Sequence, residues 1–292
     1  MKKKSIIAVI LLASLLNIKN LEAQVGYFLS EDAKSFPVEH IDREVKRVLD
    51  NAHLVIDYSC SYIIDLDTKK RFEDHRRLLI GEMYSTDYSL TLFECDSIST
   101  AIFKSGSRNA PMCAHEAIPE EIFINKLARN TQHNIRMYGT IAVLSYEEPL
   151  PVIKWSILPE QKKIHSYSCQ KAVAKFQGRE YEAWFTIGIP ISAGPYKFTG
   201  LPGLILELRD TEGHYHWECI GISQPSKGVP INYWDFHYQH VDKQKAFRIS
   251  KNSKERFASF MQQFGHEIYC SEKTASPKNI KFLYNPIEKI DL

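Results

Sequence analysis

The residues best suited to chemistry are four histidines crowded into one short stretch. His214, His216, His237 and His240 are four of the chain's 11 histidines, and Cys219 falls between them. On a β-strand, His214 and His216 project from one face, so both could reach a single ion. His237 and His240 would need an adjoining strand to join them. Imidazole suits zinc or copper(II), and a thiolate from Cys219 would move the preference toward zinc or copper(I). The competing reading is a solvated polar face flanking Trp217 and Trp234. Elsewhere, Arg179 and Lys197 offer cations for an acidic group, or structural hydrogen-bond donors. Trp184, Phe185, Tyr196 and Phe198 offer an apolar ligand wall, or core packing. Signatures of hydrolases, kinases and nucleotide loops do not occur. His115-Glu116 and His266-Glu267 begin the zinc-protease pattern without its second histidine. The expectation is therefore a non-catalytic protein.

These residues sit in a chain of 292 residues, 44% hydrophobic and 25% charged, with 15 Tyr, 15 Phe and 4 Trp, a composition that argues for a folded globular protein. Its formal charge of +2 does not suggest nucleic-acid binding. Lys2, Lys3 and Lys4, an apolar run from Ile6 to Leu16, and the small residue Ala23 follow the pattern of a secretory signal peptide, removed after residue 23. That run is well short of the roughly 20 residues that span a bilayer, and no other segment reads as a transmembrane span. Without the leader, the chain carries 33 basic and 34 acidic residues, a formal charge of −1. Cys60, Cys95, Cys113, Cys169, Cys219 and Cys270 contain no C-x-x-C pair. An oxidising compartment allows disulfides among them, and buried free thiols are the alternative.

The elements that must position these groups follow from hydrophobic period. Val38, Ile41, Val45, Val48 and Leu49 recur at helical spacing after Phe36-Pro37, which predicts a helical N-terminal segment over about 24–52. Strict alternation from Leu54 to Leu66 predicts a long strand, with Arg71–Tyr84 returning antiparallel. Ser89–Glu94 reads as a short strand and Pro119-Glu120-Glu121 as a helix start. Strands are predicted at Val152–Leu158, His165–Phe176, Arg179–Ile189, Leu204–Asp210, His214–Ile222 and Phe236–Val241, with a turn at Gln177-Gly178. Asn252 and Glu255 fit a capping box ahead of Phe257, Phe260, Met261 and Phe264. Strands in sequence with few helices between them predict an α+β, mainly β fold. The expected form is an antiparallel meander, a curved or half-open barrel-like sheet with a few packed helices, in one domain over 24–292.

The segment Gly194-Pro195-Tyr196-Lys197-Phe198-Thr199-Gly200-Leu201-Pro202-Gly203-Leu204-Ile205 stands apart. Leu201–Leu204 fits a type II turn, with Pro202 presetting φ and Gly203 accepting a positive φ. No Lys-Ser/Thr pair follows, so it is not a phosphate loop. The chain here resembles the GLPGLI family, named for residues 200–205. Tyr167–Ala172, Phe176–Thr186, Ile189-Pro190-Ile191 and Asn285-Pro286-Ile287-Glu288 extend the likeness.

The resemblance implies export by a Gram-negative bacterium, genes commonly placed near outer-membrane TonB-dependent receptors, and no established biochemical activity. The predicted meander is also similar to the half-open barrels of periplasmic lipoprotein carriers. The expectation is an exported, periplasmic or envelope-associated binding or accessory protein. Its partner would be an outer-membrane receptor or envelope protein, or its ligand an apolar molecule or peptide received by the open sheet, with Arg179, Trp184, Tyr196, Phe198, Gly200, Pro202 and Gly203 forming a ligand-binding or structural corner. The alternatives are metal handling by His214, His216, His237 and His240, or an enzyme with an unrecognised site.

Overall fold

A computed structural model describes residues 25–29, 44–106, 117–137, 142–263, 266–270 and 284–290. The predicted leader, most of the predicted N-terminal helix, and Cys113 lie outside them. In chain order the elements are β1 Val25–Leu29, β2 Val45–Ala52, β3 Leu54–Ile63, β4 Arg71–Ile80, β5 Tyr84–Ser89, α1 Leu90–Lys104, β6 Glu120–Asn125, β7 Asn130–Arg136 and β8 Ala142–Pro149. There follow β9 Ser156–Ile164, β10 Tyr167–Phe176, β11 Arg179–Thr186, β12 Leu204–Asp210, β13 Tyr215–Ser223, β14 Val229–Trp234, β15 His237–His240, α2 Lys243–Glu255, α3 Phe257–Gln262 and β16 His266–Cys270.

Twelve strands make one sheet in the order β15-β8-β7-β6-β5-β4-β3-β13-β12-β11-β10-β9. Two successive meanders, β3 to β8 and β9 to β13, are thus joined edge to edge through β3 and β13. All pairs are antiparallel except β15 with β8. The sheet is not closed into a barrel, and β9 and β15 are its edges. The mainly β, antiparallel class expected from alternation is the class observed.

Local expectations fail where a partner outweighs spacing. Val45–Ala52, expected to be helical, is a strand paired with β14, which the sequence pattern missed. Val45 and Val48 are exposed and Ala52 is buried, so their helical spacing marked no buried stripe. Ser89 does not begin a strand but caps α1, its Oγ accepting from Leu92 N at 3.1 Å while donating to Asp74 at 2.7 Å. Pro119-Glu120-Glu121 does not open a helix. The buried Arg76 draws in the carbonyls of Ile118 and Glu120 at 3.0 and 2.9 Å, and the chain continues as β6. Asn252 lies inside α2, which is capped by Asp242 accepting from Lys245 N at 2.7 Å.

One face of the sheet carries the main core. Leu54, Ile56, Tyr58 and Cys60 of β3, Ala172 and Phe176 of β10, Tyr181 and Phe185 of β11, and Trp217 of β13 surround the chain's own 189–205 segment. Phe198 is at its centre, 0% exposed, with ring centroids of Tyr181 and Phe176 at 4.5 and 5.1 Å. Tyr58 donates to the carbonyl of Ile205 at 2.7 Å, tying the segment to β3. On the other face, β14 contributes Ile231 and Tyr233, which pack with Val55, Leu79 and Phe123. α2 brings Ala246 and Phe247 against Ile135, Leu144 and Tyr146. Cys60, Cys169 and Cys219 are buried free thiols, and Cys95 is disulfide-bonded.

The glycines of the corner serve closeness more than turning. Gln177 and Gly178, at φ +46° and +79°, form the expected tight hairpin. Gly203 does not take the positive φ of a type II turn; the left-handed positions are Tyr196 and Gly200. Gly203 is needed because a Cβ there would lie 2.1 Å from the carbonyl oxygen of Thr186. Gly203→Ala is therefore expected to destabilise the protein by about 3 kcal/mol, since backbone on backbone cannot yield as a side chain does. Gly106→Ala, strained at φ +87° but with nothing within 4 Å, is expected to cost about 1–2 kcal/mol. Urea unfolding of the two variants checks the order.

Candidate functional site

Beside Arg76, two further buried cations organise the polar interior around the corner. The first is Arg179, the opening residue of β11, with a fully buried side chain. Its Nη1 donates to Asp210 Oδ2 at 2.8 Å, Glu212 Oε2 at 3.1 Å and His214 Nδ1 at 3.0 Å. Nη2 donates to Asn285 Oδ1 at 2.6 Å and the Pro286 carbonyl at 2.9 Å, and Nε to the Ile287 carbonyl at 3.2 Å. The guanidinium also lies 5.2 Å from the Tyr215 ring centroid. Because arginine has only donors, His214 Nδ1 must be the bare, accepting nitrogen. Burial and the Arg179 charge both push the His214 pKa down, in agreement with a neutral ring.

Asp210, Glu212 and His214 are thus the set of described residues whose ligand atoms converge closely enough for a metal. Asp210, Glu212 and His214 each accept from Arg179 Nη1, so the three groups already share one cation. The four-histidine metal site is corrected by sheet order: six strands separate β13, which carries His216, from β15, which carries His237 and His240. His237 and His240 are exposed, and His216 Nε2 lies 3.2 Å from Glu207 Oε1. Glu207 in turn is paired with Lys162, and its carboxyl is held down to about 2, first by His216 and then, against burial, by Lys162.

The second cation is Lys197, also fully buried, inside the corner. Its Nζ donates to Glu148 Oε1 at 2.6 Å, Glu288 Oε1 at 2.7 Å and the Tyr146 hydroxyl at 3.1 Å. Lys243 of α2 closes a four-membered arrangement of alternating charge, 2.9 Å from Glu148 and 2.5 Å from Glu288. Tyr196 donates to Glu288 Oε1 at 2.7 Å. Tyr146 hydrogen-bonds His133 Nδ1, and His133 Nε2 is 3.3 Å from Glu120. The Tyr146 oxygen already accepts from Lys197 and Glu120 faces His133 Nε2, so Tyr146 donates to Nδ1; burial, then Lys197, push the His133 pKa down. Burial raises the Glu288 carboxyl, but Lys197 and Lys243 outweigh it and hold it down to about 2.

The expected ligand corner is occupied by the protein itself. Tyr196 and Phe198 belong to the core, Gly200 N donates to Ser192 Oγ at 2.8 Å, and of the corner residues Gly200 and Pro202 are exposed. Trp184 is half-buried on its strand, with Lys162 Nζ 4.5 Å over its ring. A hollow of about 30 Å³, space for about one water molecule, lies instead among Tyr88, Asp96, Asn134, Arg136 and Phe236. None of the predicted site residues lines it. Sequence reasoning missed Glu148, His133, Tyr146 and Lys243. A lysine between Tyr196 and Phe198 announces a buried ammonium, but only the fold names its carboxylates.

Arg179→Ala is expected to cost about 3–5 kcal/mol, because it strands the buried Asp210 without its cation. Asp210→Asn combined with Arg179→Met should recover part of that loss in urea unfolding. Glu288, with a folded pKa depressed from 4.5 to about 2, contributes stability that is full above about pH 4.5. That contribution, of order 3 kcal/mol, is lost as pH falls toward 2. Glu288→Gln should flatten the pH dependence of stability in this window.

Residues 177–207, which include Arg179, Lys197 and the whole corner, match a family model described as "Protein of unknown function (Porph_ging)". No curated protein matches the chain. Two solved structures, PNGF-II in the P21 and C2 space groups, are each 15% identical, with TM-scores of 0.45 and 0.43 over 69% and 67% of this chain. The alignments span only 33% and 32% of those chains, about a third of their length. The matched segment thus contains Arg179 and the corner with Lys197 inside it.

Proposed function

We propose that this protein is an exported, envelope-associated binding or accessory module that acts without catalysis and recognises a protein partner. One observation carries the reading: the sheet face that would receive an apolar ligand in an open half-barrel is filled by the chain's own 189–205 segment. The buried acids and bases most often recruited for catalysis are committed to one another. Lys197, Glu288, Arg179 and Asp210 have side chains 0% exposed. The tripartite pattern over residues 1–23 and a disulfide-bonded Cys95 support an oxidising, exported location. The likeness to the GLPGLI family points to an envelope partner such as a TonB-dependent receptor. Among the described residues no helix is long and apolar enough to cross a membrane.

Chemical crosslinking in intact cells, followed by mass spectrometry of the tagged protein, tests this. The expected result is a mature chain beginning at Gln24, crosslinked through exposed lysines to one envelope protein. A chain retained in the cytoplasm, or one that carries an apolar ligand stoichiometrically in native mass spectrometry and no partner, would overturn it.

A further inference from the structure

We infer that the groups around Arg179 and Lys197 form a recognition site for an extended peptide segment of the form Asn-Pro-aliphatic-Glu. In this chain it is occupied by residues 285–288. The inference deepens the binding-module reading above and rests on it, naming the chemistry of the partner segment.

Residues 284–290 belong to no helix or strand. They are held as a bound peptide is held, by groups distant in sequence that read both backbone and side chains. The carbonyl of Asn285 accepts from Tyr215, that of Pro286 from Arg179 Nη2, and that of Ile287 from Arg179 Nε and Tyr181. The Asn285 amide is read at both ends, Oδ1 from Arg179 at 2.6 Å and Nδ2 by the Ile63 carbonyl at 2.6 Å. Ile287 fills an apolar position at 2% exposure. Proline at the second position costs the site no donor, since the contact made there is to its carbonyl.

Charge defines what the site accepts. Without Glu288, Lys197 and Lys243 face Glu148 alone, two ammonium groups against one carboxylate. Arg179 Nη1 keeps its acid partners, but Nη2 and Nε lose the acceptors described here. An incoming segment must therefore bring carbonyl oxygens at one end and a carboxylate at the other. The aliphatic residue between them sets the spacing. A neutral or basic peptide leaves buried cations unpaired.

The test keeps the full chain: a specific protease site is placed immediately before Tyr284, and the folded protein is cut. A fluorescent peptide with the sequence of Tyr284–Ile290 is then added. The expected result is that the cut tail stays bound, circular dichroism is unchanged, and the labelled peptide exchanges in. Peptides carrying Glu288→Gln or Asn285→Ala should compete about tenfold or more weakly, the effect of losing a charge-assisted or bidentate contact. Unfolding on cleavage, exchange only on global unfolding, or equal competition by the Glu288→Gln peptide would each overturn the inference. The crosslinking result does not depend on this exchange, so failure of the peptide site is distinguishable from failure of the binding-module reading.

Discussion

A guanidinium and an ammonium, both removed from water, set the terms on which the rest of this structure can form. Neither Arg179 nor Lys197 has an exposed side chain, so each must be met by anions and acceptors from elsewhere in the protein. Arg179 draws in Asp210 and Glu212 from the β12–β13 turn and three residues of the 285–288 segment. Lys197 draws in Glu148 from the end of β8 and Glu288 from that same segment. The two cations therefore close one path through both meanders, the corner and the C-terminal segment. Buried ion pairs of this kind contribute little net stability compared with well-packed apolar groups. Their effect is to penalise every arrangement in which a partner is missing, which specifies one register for pieces of chain that share no ladder.

The corner depends on that clamp and also enforces it. Tyr196, at φ +58°, sits in a backbone region that costs a bulky residue free energy. Its hydroxyl bonds Glu288, and the neighbouring residue is Lys197, so the strained position delivers two groups to one carboxylate. Phe198 then points into the aromatic cluster rather than out of it. Gly203 lets the returning chain pass against Thr186 at a distance no side chain permits. The apolar residues of the corner are core because the polar ones are anchored. Of the proposed ligand wall, Phe185, Tyr196 and Phe198 are core for that reason, while Trp184 is half-buried beneath Lys162.

Much of the sheet was readable from period alone. Leu54–Ile63 and Leu204–Asp210 keep one face buried throughout, and the alternation shows that face even though Val55, Ile63 and Ile205 on the other face are buried too. The pattern failed where a distant side chain decided the local state. Ser89 turns the chain into a helix by offering its hydroxyl to Leu92 N while bonded to Asp74. Glu120 continues as a strand because Arg76 holds its carbonyl. β2 is set by pairing with β14, nearly two hundred residues away, and no window of sequence contains both. For the candidate site, Arg179 and Lys197 stood out as cations that could meet an acidic group, and Asn285–Glu288 as a separate motif. That they are one cluster could not be read, since the contacts join residues separated by 91 to 108 positions.

The histidines show why spacing proposes a metal and geometry removes it. Two imidazoles two residues apart do project together, but His214 lies before β13 and turns its Nδ1 to Arg179, while His216 pairs with Glu207. Asp210, Glu212 and His214 converge as ligands of a cation should, and a cation is what they share. An ion and a guanidinium ask similar things of such a shell: negative oxygen, an unprotonated ring nitrogen and exclusion of water. They differ in attachment. An ion can leave and be replaced, and its shell then answers to solution conditions. Arg179 is tethered to β11, so its shell is permanent, and its remaining nitrogens point in fixed directions toward the carbonyls of 285–288. The fixed fork converts a set of metal-like ligands into one half of a peptide-binding surface.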